Sequence, residues 1–243
     1  MEYQEIINWL LEGDVSIRYQ VFRDLLGETR EDLRKRIAVE GWGAGLLAHR
    51  RENGHWGRGF YQPKWISSHY TILDLKNLGI NPDNSQVRET LELILKDEKG
   101  RDGGINPSRT IPQSDICVTG MFLNYASYFG VEQDKLVPIV DFVLSQRLND
   151  GGFNCDSNRT GAKHSSLHST LSVIEGIEEY SAGGYTYGIS ELNEARESSR
   201  LFILLHKFFL SDKTGEIINR NFLRFTYPSR WKYDILRSLD YFR

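Results

Sequence analysis

The sequence predicts an all-α protein in which tandem helix pairs curl into a closed or nearly closed α/α barrel. A glycine-containing turn recurs at residues 53–57, 102–106 and 150–154, in copies that begin 49 and 48 residues apart. Apolar residues on both sides of each turn follow helical spacing, and no segment shows the sustained alternation of a strand. The segment from each turn to the next helix is ~12 residues or more, longer than connectors in open solenoids. We therefore expect these loops to gather over one end of a barrel.

The helices are predicted in chain order. Residues 1–40 form N-terminal helices, and residues 41–243 form helix-pair repeats with a period of about 48–50 residues. Helical apolar patterns precede the three turns at 46–51, 87–96 and 136–146, and follow them at 66–78, 116–128 and 167–177. A weaker fourth copy covers 225–239. One domain spans 1–243, with about five to six helix pairs, which leaves open that a last element is missing at the C-terminal end.

The turns have a local physical explanation. Their glycines permit a positive φ where the chain leaves a helix. The apolar residue that follows, Trp56, Ile105 or Phe153, is expected to anchor the loop in a core. Asp102 and Asp150 are interpreted as turn residues.

Composition excludes several function classes. The 30 Lys and Arg nearly balance the 33 Asp and Glu, so no strong field would attract a nucleic acid. Residues 1–14 lack the pattern of a secretory signal, and no run of 18 apolar residues predicts a transmembrane segment. We expect a cytoplasmic protein whose two cysteines, Cys117 and Cys155, are free thiols or metal ligands.

Three residues recur at corresponding places in the helices that follow the turns. His69, Cys117 and His168 are 48 and 51 residues apart. In a closed barrel they would face a shared cavity, where Cys117 and His168, with Asp115, supply a donor set that suits zinc with one open position. The alternative is that Asp115 only caps a helix, Cys117 packs as a small apolar residue, and His168 is a hydrogen-bonded core histidine.

The Asp115-x-Cys117 motif with His168, set among turns such as SQRLNDGGF, resembles the β subunits of protein prenyltransferases and, more loosely, squalene and terpenoid cyclases. The repeat likeness covers about residues 40–180. The resemblance implies an α/α toroid around an aromatic-lined isoprenoid pocket, with zinc held by Asp115, Cys117 and His168. It also implies a small lipophilic or peptide substrate and a partner subunit.

The sequence also departs from that pattern. It contains no Asp-x-Asp-Asp, the acidic motif of squalene-type cyclases, which disfavours a cyclase. Transferases need a basic cluster for a diphosphate. The candidates here, for which ordinary solvated surface is the favoured interpretation, are Arg109, Arg159, Lys163, Arg220, Arg224 and Arg230.

Further substrate-binding candidates come from aromatic-rich loops, which could line an apolar pocket or close the barrel as core. They are His69, Trp56, Tyr61, Trp65, Trp231, Tyr233 and Asp234.

The sequence thus favours an enzyme that acts on an isoprenoid or other lipophilic substrate, with catalytic residues not identified. One alternative is a non-catalytic ligand-binding or scaffold protein on the same toroid. Another is a carbohydrate-active α/α-barrel enzyme, for which Asp102, Asp150 and Asp234 are the available carboxylates.

Overall fold

A computed structural model describes residues 2–108 and 110–243. Over these residues the protein is helical and has no β-strand; two isolated bridges join Lys99 to Ile105 and Leu210 to Ile217. The predicted all-α class is therefore confirmed. In the described part of the chain, none of the helices has the length and apolar character required to cross a bilayer.

The chain divides into two compact units, which meet in sequence between Leu93 and Ile94. Unit 1 contains α1 to α5 and the first part of α6, with a π-helical turn at Val21–Leu25 after α2. Its helices are α1 (Tyr3–Leu11), α2 (Val15–Gln20), α3 (Glu31–Arg36), α4 (Gly41–Ala48), α5 (Ser68–Asn77) and α6 (Ser85–Asp97). The single domain predicted over 1–243 stays a prediction.

Unit 2 contains the rest of α6 and six further helices, with a 3₁₀ turn at Arg220–Leu223. The helices are α7 (Ile116–Tyr128), α8 (Gln133–Ser145), α9 (Ser157–Thr160), α10 (Leu167–Ala182), α11 (Ile189–Leu205) and α12 (Ile235–Phe242). Of the weaker fourth copy, only residues 235–239 fall in a helix.

The three turns share one backbone geometry, which confirms the repeat as a local structural unit. In each turn an N–H donates to the carbonyl four residues later, at 2.8–3.0 Å; the pairs are Arg51 with His55, Gly100 with Gly104, and Leu148 with Gly152. The residue before each acceptor is a glycine with a positive φ, which lets the chain reverse. These glycines are Gly54, Gly103 and Gly151, with φ of +79°, +91° and +97°.

The residue that follows each acceptor position is anchored as predicted. Its side chain is at most 1% exposed, and its N–H donates to a hydroxyl in the next helix at 3.0–3.1 Å. The three pairs are Trp56 with Ser68, Ile105 with Thr119, and Phe153 with Thr170.

Helices α7 and α10 pack closely in unit 2. A β-carbon at Gly120 would lie 2.8 Å from the carbonyl oxygen of Ser172, and one at Gly176 would overlap the carbonyl oxygen of Gly120. Because two glycines face each other, the backbones approach more closely than side chains would allow. This contact fixes the helices that carry Cys117 and His168.

Candidate functional site

Two clamps set the starts of α7 and α10. Asp102 accepts hydrogen bonds from the Ser114 N–H at 2.8 Å and from its hydroxyl. Asp150 likewise accepts hydrogen bonds from the Ser165 N–H, at 2.8 Å, and from the Ser165 hydroxyl. Each serine directly precedes a helix N-cap, so the interpretation of these aspartates as turn residues is confirmed.

The anchoring hydroxyls give a structural register for the repeats. Cys117 lies two residues before Thr119, and His168 lies two residues before Thr170, so these two residues occupy equivalent positions. His69, by contrast, lies one residue after Ser68. Its proposed equivalence to Cys117 is therefore displaced by three residues, close to one helical turn.

One cluster of potential metal ligands stands out in unit 2. A carboxylate oxygen of Asp115 and the sulfurs of Cys117 and Cys155 all lie within 4.8 Å of one another, and the three residues are half-buried. Asp115 is the N-cap of α7, accepting the Val118 N–H at 3.1 Å, and Cys117 is the second residue of that helix. The sequence prediction of a cap at Asp115 is confirmed.

The two cysteines form a disulfide in the structure, with Cα atoms 6.1 Å apart. The expectation that both are free thiols or ligands is therefore wrong for this state. The chain can bring them together because Cys155 follows the turn that Phe153 anchors, while Cys117 lies in the first turn of α7. A Cα separation in this range allows the bond to form without movement of the backbone.

Three polar side chains surround the cluster. The Ser169 hydroxyl lies 3.1 Å from the Cys117 sulfur and 3.3 Å from the Cys155 sulfur, and it accepts the Cys155 N–H at 3.1 Å. Arg159 approaches Asp115 at 3.4 Å, and the Asn158 amide donates to the Ser114 carbonyl at 3.0 Å. Arg159, proposed from sequence as a substrate-binding residue, therefore lies beside the cluster.

The electrostatics of the cluster permit three states. If both cysteines were reduced to thiolates beside the Asp115 carboxylate, three negative charges would lie close together; two charges at 4.8 Å, the upper limit of the observed separations, repel by about 3 kcal/mol at an effective dielectric constant of 20. Arg159 offsets only part of this repulsion. The remaining charge is removed by protonation, by the disulfide, or by a divalent cation.

His168 lies outside this cluster. Its Nδ1 accepts the Tyr233 N–H at 2.7 Å, so in the neutral ring the proton is on Nε2. The ring packs against Phe222 and Trp231, with centroids 5.3 Å away in each case. Burial first, and then the Arg237 charge, lowers the pKa of His168 below its ordinary value. The arrangement matches the alternative of a hydrogen-bonded core histidine.

Tyr233 and Asp234 hold the start of α12. Asp234 is 1% exposed, and its carboxylate accepts the N–H groups of Arg237 at 2.9 Å and Thr226 at 3.0 Å. The Tyr233 hydroxyl donates to the Phe208 carbonyl at 2.6 Å. Both residues thus have structural partners in the segments around them.

Arg237 connects α12 to α10. Its guanidinium forms a two-pronged ion pair with Glu175, with an Nε–Oε1 distance of 2.9 Å, and it donates to Ser172 at 3.2 Å. The Ser172 hydroxyl in turn donates to the His168 carbonyl at 3.0 Å. This pair is not recognisable in the sequence, because an Arg and a Glu 62 residues apart form no local pattern.

The aromatic candidates of unit 1 form a packed group. His69 is fully buried, and its ring centroid lies 4.8 Å from that of Tyr70. The hydroxyl groups of Tyr61 and Tyr70 form a hydrogen bond of 3.0 Å. Trp65 packs on Tyr70 at 4.9 Å with a φ of +83°. Burial first, and then the Lys64 charge, lowers the pKa of His69 to about 3.

Trp56 belongs to the core of unit 1. It is 1% exposed, and its indole N–H donates to the Leu46 carbonyl at 2.7 Å. Of the two readings that the sequence allowed for this residue, the core reading is therefore confirmed.

The other basic residues proposed for a diphosphate are mostly exposed. Lys163, Arg220 and Arg224 are exposed, and Arg230 is half-buried. Arg109 lies outside the residues that the structure describes.

The sequence prediction named Cys155 as a free thiol or metal ligand but did not place it with Asp115 and Cys117, and it did not include Ser169. The only available signal for Cys155 was that it is the second of two cysteines and follows a repeated turn. Ser169 gave no signal beyond its position next to His168.

Comparisons with family models, curated proteins and solved structures find no match to this chain.

Proposed function

We propose that this protein is a zinc-dependent, prenyltransferase-like enzyme with an α/α toroid fold, which acts on an isoprenoid or other lipophilic substrate. Its zinc ligands in the reduced protein are Asp115, Cys117 and Cys155. Cys155 replaces His168 in the ligand set that the family resemblance implies.

The observation that carries the proposal is the convergence of one carboxylate oxygen and two sulfurs within 4.8 Å. In the structure the two sulfurs are bonded to each other, so reduction must first break this bond. A tetrahedral zinc ion with Zn–S distances of about 2.3 Å would then hold the two sulfurs roughly 3.8 Å apart. Three protein ligands leave the fourth position open, as in catalytic zinc sites. The donor set therefore suits the metal.

The surrounding residues have defined parts in this proposal. Zinc, when bound, supplies a Lewis acid that favours the anionic form of a thiol or water. The α7 N-terminus favours the thiolate of Cys117, and the Ser169 hydroxyl can donate to a sulfur. Arg159 orients Asp115 and provides a positive charge for an anionic leaving group.

Metal analysis of the reduced protein tests the ligand set. Protein purified under reductant should carry about one zinc per chain, as for a single site with three protein ligands. Cys117→Ser and Cys155→Ser should lose it, whereas His168→Gln, the matched control outside the cluster, should retain it. A metal-free reduced wild type would refute the zinc site. Retention in Cys155→Ser with loss in His168→Gln would restore the ligand set taken from the resemblance.

Activity is tested on the zinc-loaded protein with an isoprenoid diphosphate and a small thiol acceptor. A thioether product detected by mass spectrometry, and absent in Cys117→Ser, is the expected result. A zinc-loaded protein that forms no such product with any chain length of diphosphate would contradict the transferase while leaving the metal site intact.

The disulfide favours a second candidate, a non-catalytic ligand-binding or scaffold protein. In that case the bond is a structural staple across a sequence separation of 38 residues. A closed loop of that length stabilises the folded state by about 4 kcal/mol in the chain-entropy model. A large loss of stability on reduction, together with no zinc uptake, would support this candidate over the enzyme. No described feature favours the carbohydrate-active alternative, since Asp102, Asp150 and Asp234 all accept backbone hydrogen bonds.

A further inference from the structure

The cysteines of the cluster can serve either a disulfide or a metal ion, but not both. Zinc binds the thiolate form of cysteine, and a disulfide sulfur is no longer a thiolate. In the structure the two sulfurs are joined in a disulfide, and the Cys155 sulfur lies 3.3 Å from the Asp115 carboxylate, so reduction would release three potential ligands at one place. The disulfide and the proposed metal site therefore use the same two sulfur atoms.

Hydrogen bonds and an ion pair hold the segments that carry the three ligands. Ser169 contacts both sulfurs and also accepts the Cys155 N–H, so it holds the loop that carries Cys155 whichever state is present. The Asp115 oxygen that caps α7 also lies 3.3 Å from the Cys155 sulfur, and the other Asp115 oxygen faces Arg159 at 3.4 Å. The Cα atoms of the two cysteines already have a separation suitable for the bond.

We propose that Cys117 and Cys155 form a redox switch on the zinc site, in which oxidation by a peroxide closes the disulfide and expels the metal. This inference rests on the proposed function, because it assigns a regulation to the same site. In the oxidised state Asp115 is the only one of the three ligands that can still bind a cation, which is too few to retain zinc.

The chemistry balances with hydrogen peroxide as the oxidant. One thiolate attacks a peroxide oxygen, the O–O bond breaks, and a sulfenic acid and hydroxide form. The second thiolate attacks the sulfenic sulfur, the S–O bond breaks, and a second hydroxide leaves. Two protons from solvent convert both hydroxides to water, so two thiolates lose two electrons and Zn²⁺ is released. A dithiol reductant reverses the sulfur oxidation by thiol–disulfide exchange.

The experiment uses the full-length reduced protein loaded with Zn²⁺ alone and titrated with hydrogen peroxide. Released zinc is followed with a chromogenic chelator, free thiols are counted, and intact mass is measured at each step. We expect about one zinc released for two thiols lost, with a mass decrease of about 2 Da for the disulfide. Dithiothreitol with fresh Zn²⁺ should restore the starting state.

Asp115→Asn is the matched control. Asparagine also caps helices well, so α7 should keep its start. This variant should form the disulfide as the wild type does, yet bind zinc at least tenfold more weakly. Cys155→Ser should form no intramolecular disulfide.

The outcomes separate the inference from the proposed function. Zinc that stays bound after the disulfide has formed, or peroxide that yields sulfinic acid without a disulfide, would overturn the switch and leave the zinc enzyme standing. A reduced wild type that takes up no zinc would overturn the proposed metal site and the switch with it.

Discussion

Replacement of Gly120 by alanine is the sharpest test of the contact between α7 and α10. The added β-carbon would lie 2.8 Å from both the Ser172 oxygen and the Val173 Cα, which are backbone atoms and cannot rotate away. An ordinary contact needs about 3.4 Å or more, so the helices must separate by roughly 0.6 Å. Overpacking of this kind costs up to about 3 kcal/mol, and the helix propensity of alanine returns about 1 kcal/mol. The expected net loss is about 2 kcal/mol.

This loss corresponds to a fall in Tm of about 4–8 °C for a protein of this size. Urea unfolding followed by far-UV circular dichroism, together with calorimetry, measures it. The control is Gly45→Ala in α4, where nothing lies within 4 Å of the new β-carbon and the same substitution should stabilise by about 0.5–1 kcal/mol. A Gly120→Ala variant as stable as the wild type would refute the close packing of the two helices.

Two further predictions concern buried charge. Burial lowers the pKa of His69 from its ordinary value of 6.5 to about 3. At a pH between these two values, the unfolded chain binds a proton on this histidine and the folded chain does not. Stability should therefore fall as the pH drops from about 6.5 towards 3. Between pH 7 and pH 5, the free energy of unfolding measured in urea should fall by about 2 kcal/mol more in the wild type than in His69→Phe. Equal falls in the two proteins would contradict a buried neutral histidine. Arg237→Met strands Glu175, so it should cost about 2–4 kcal/mol, whereas Arg237→Met with Glu175→Gln should regain at least half in the same assay. No recovery in the double variant would show that the ion pair does not carry the loss.

The fold class and the repeat were predictable because both depend on local chemistry. Helical spacing located α7 at its observed limits, 116–128, and the positive φ of the turn glycines follows from their lack of a β-carbon. Helix ends were less predictable: α10 continues from the predicted 177 to Ala182 because Tyr180 extends its buried face. The toroid stays a prediction, since helical periodicity does not define how successive pairs are placed.

The site was only half predictable. The sequence identified Asp115 and Cys117 because a capping acid followed by a cysteine in the first helical turn is a local pattern. Cys155 lies 38 residues from its partner, and only the folded turn and the first turn of α7 bring the two sulfurs together. The spacing of the repeats placed His69, Cys117 and His168 at corresponding positions, but the hydroxyl anchors show that His69 is offset by three residues.

Helix geometry explains why α10 presents Ser169, and not His168, to the sulfurs. Adjacent residues in an α-helix point about 100° apart, so only one of the two can face the α7 N-terminus. The Ser169 contacts with both sulfurs settle which one does so. His168 then faces the aromatic side chains around Trp231, where the Tyr233 N–H occupies its Nδ1. A ligand role for His168 would need both a rotation of α10 and the loss of that hydrogen bond, which is the physical reason why the proposed zinc site takes Cys155 as its third ligand.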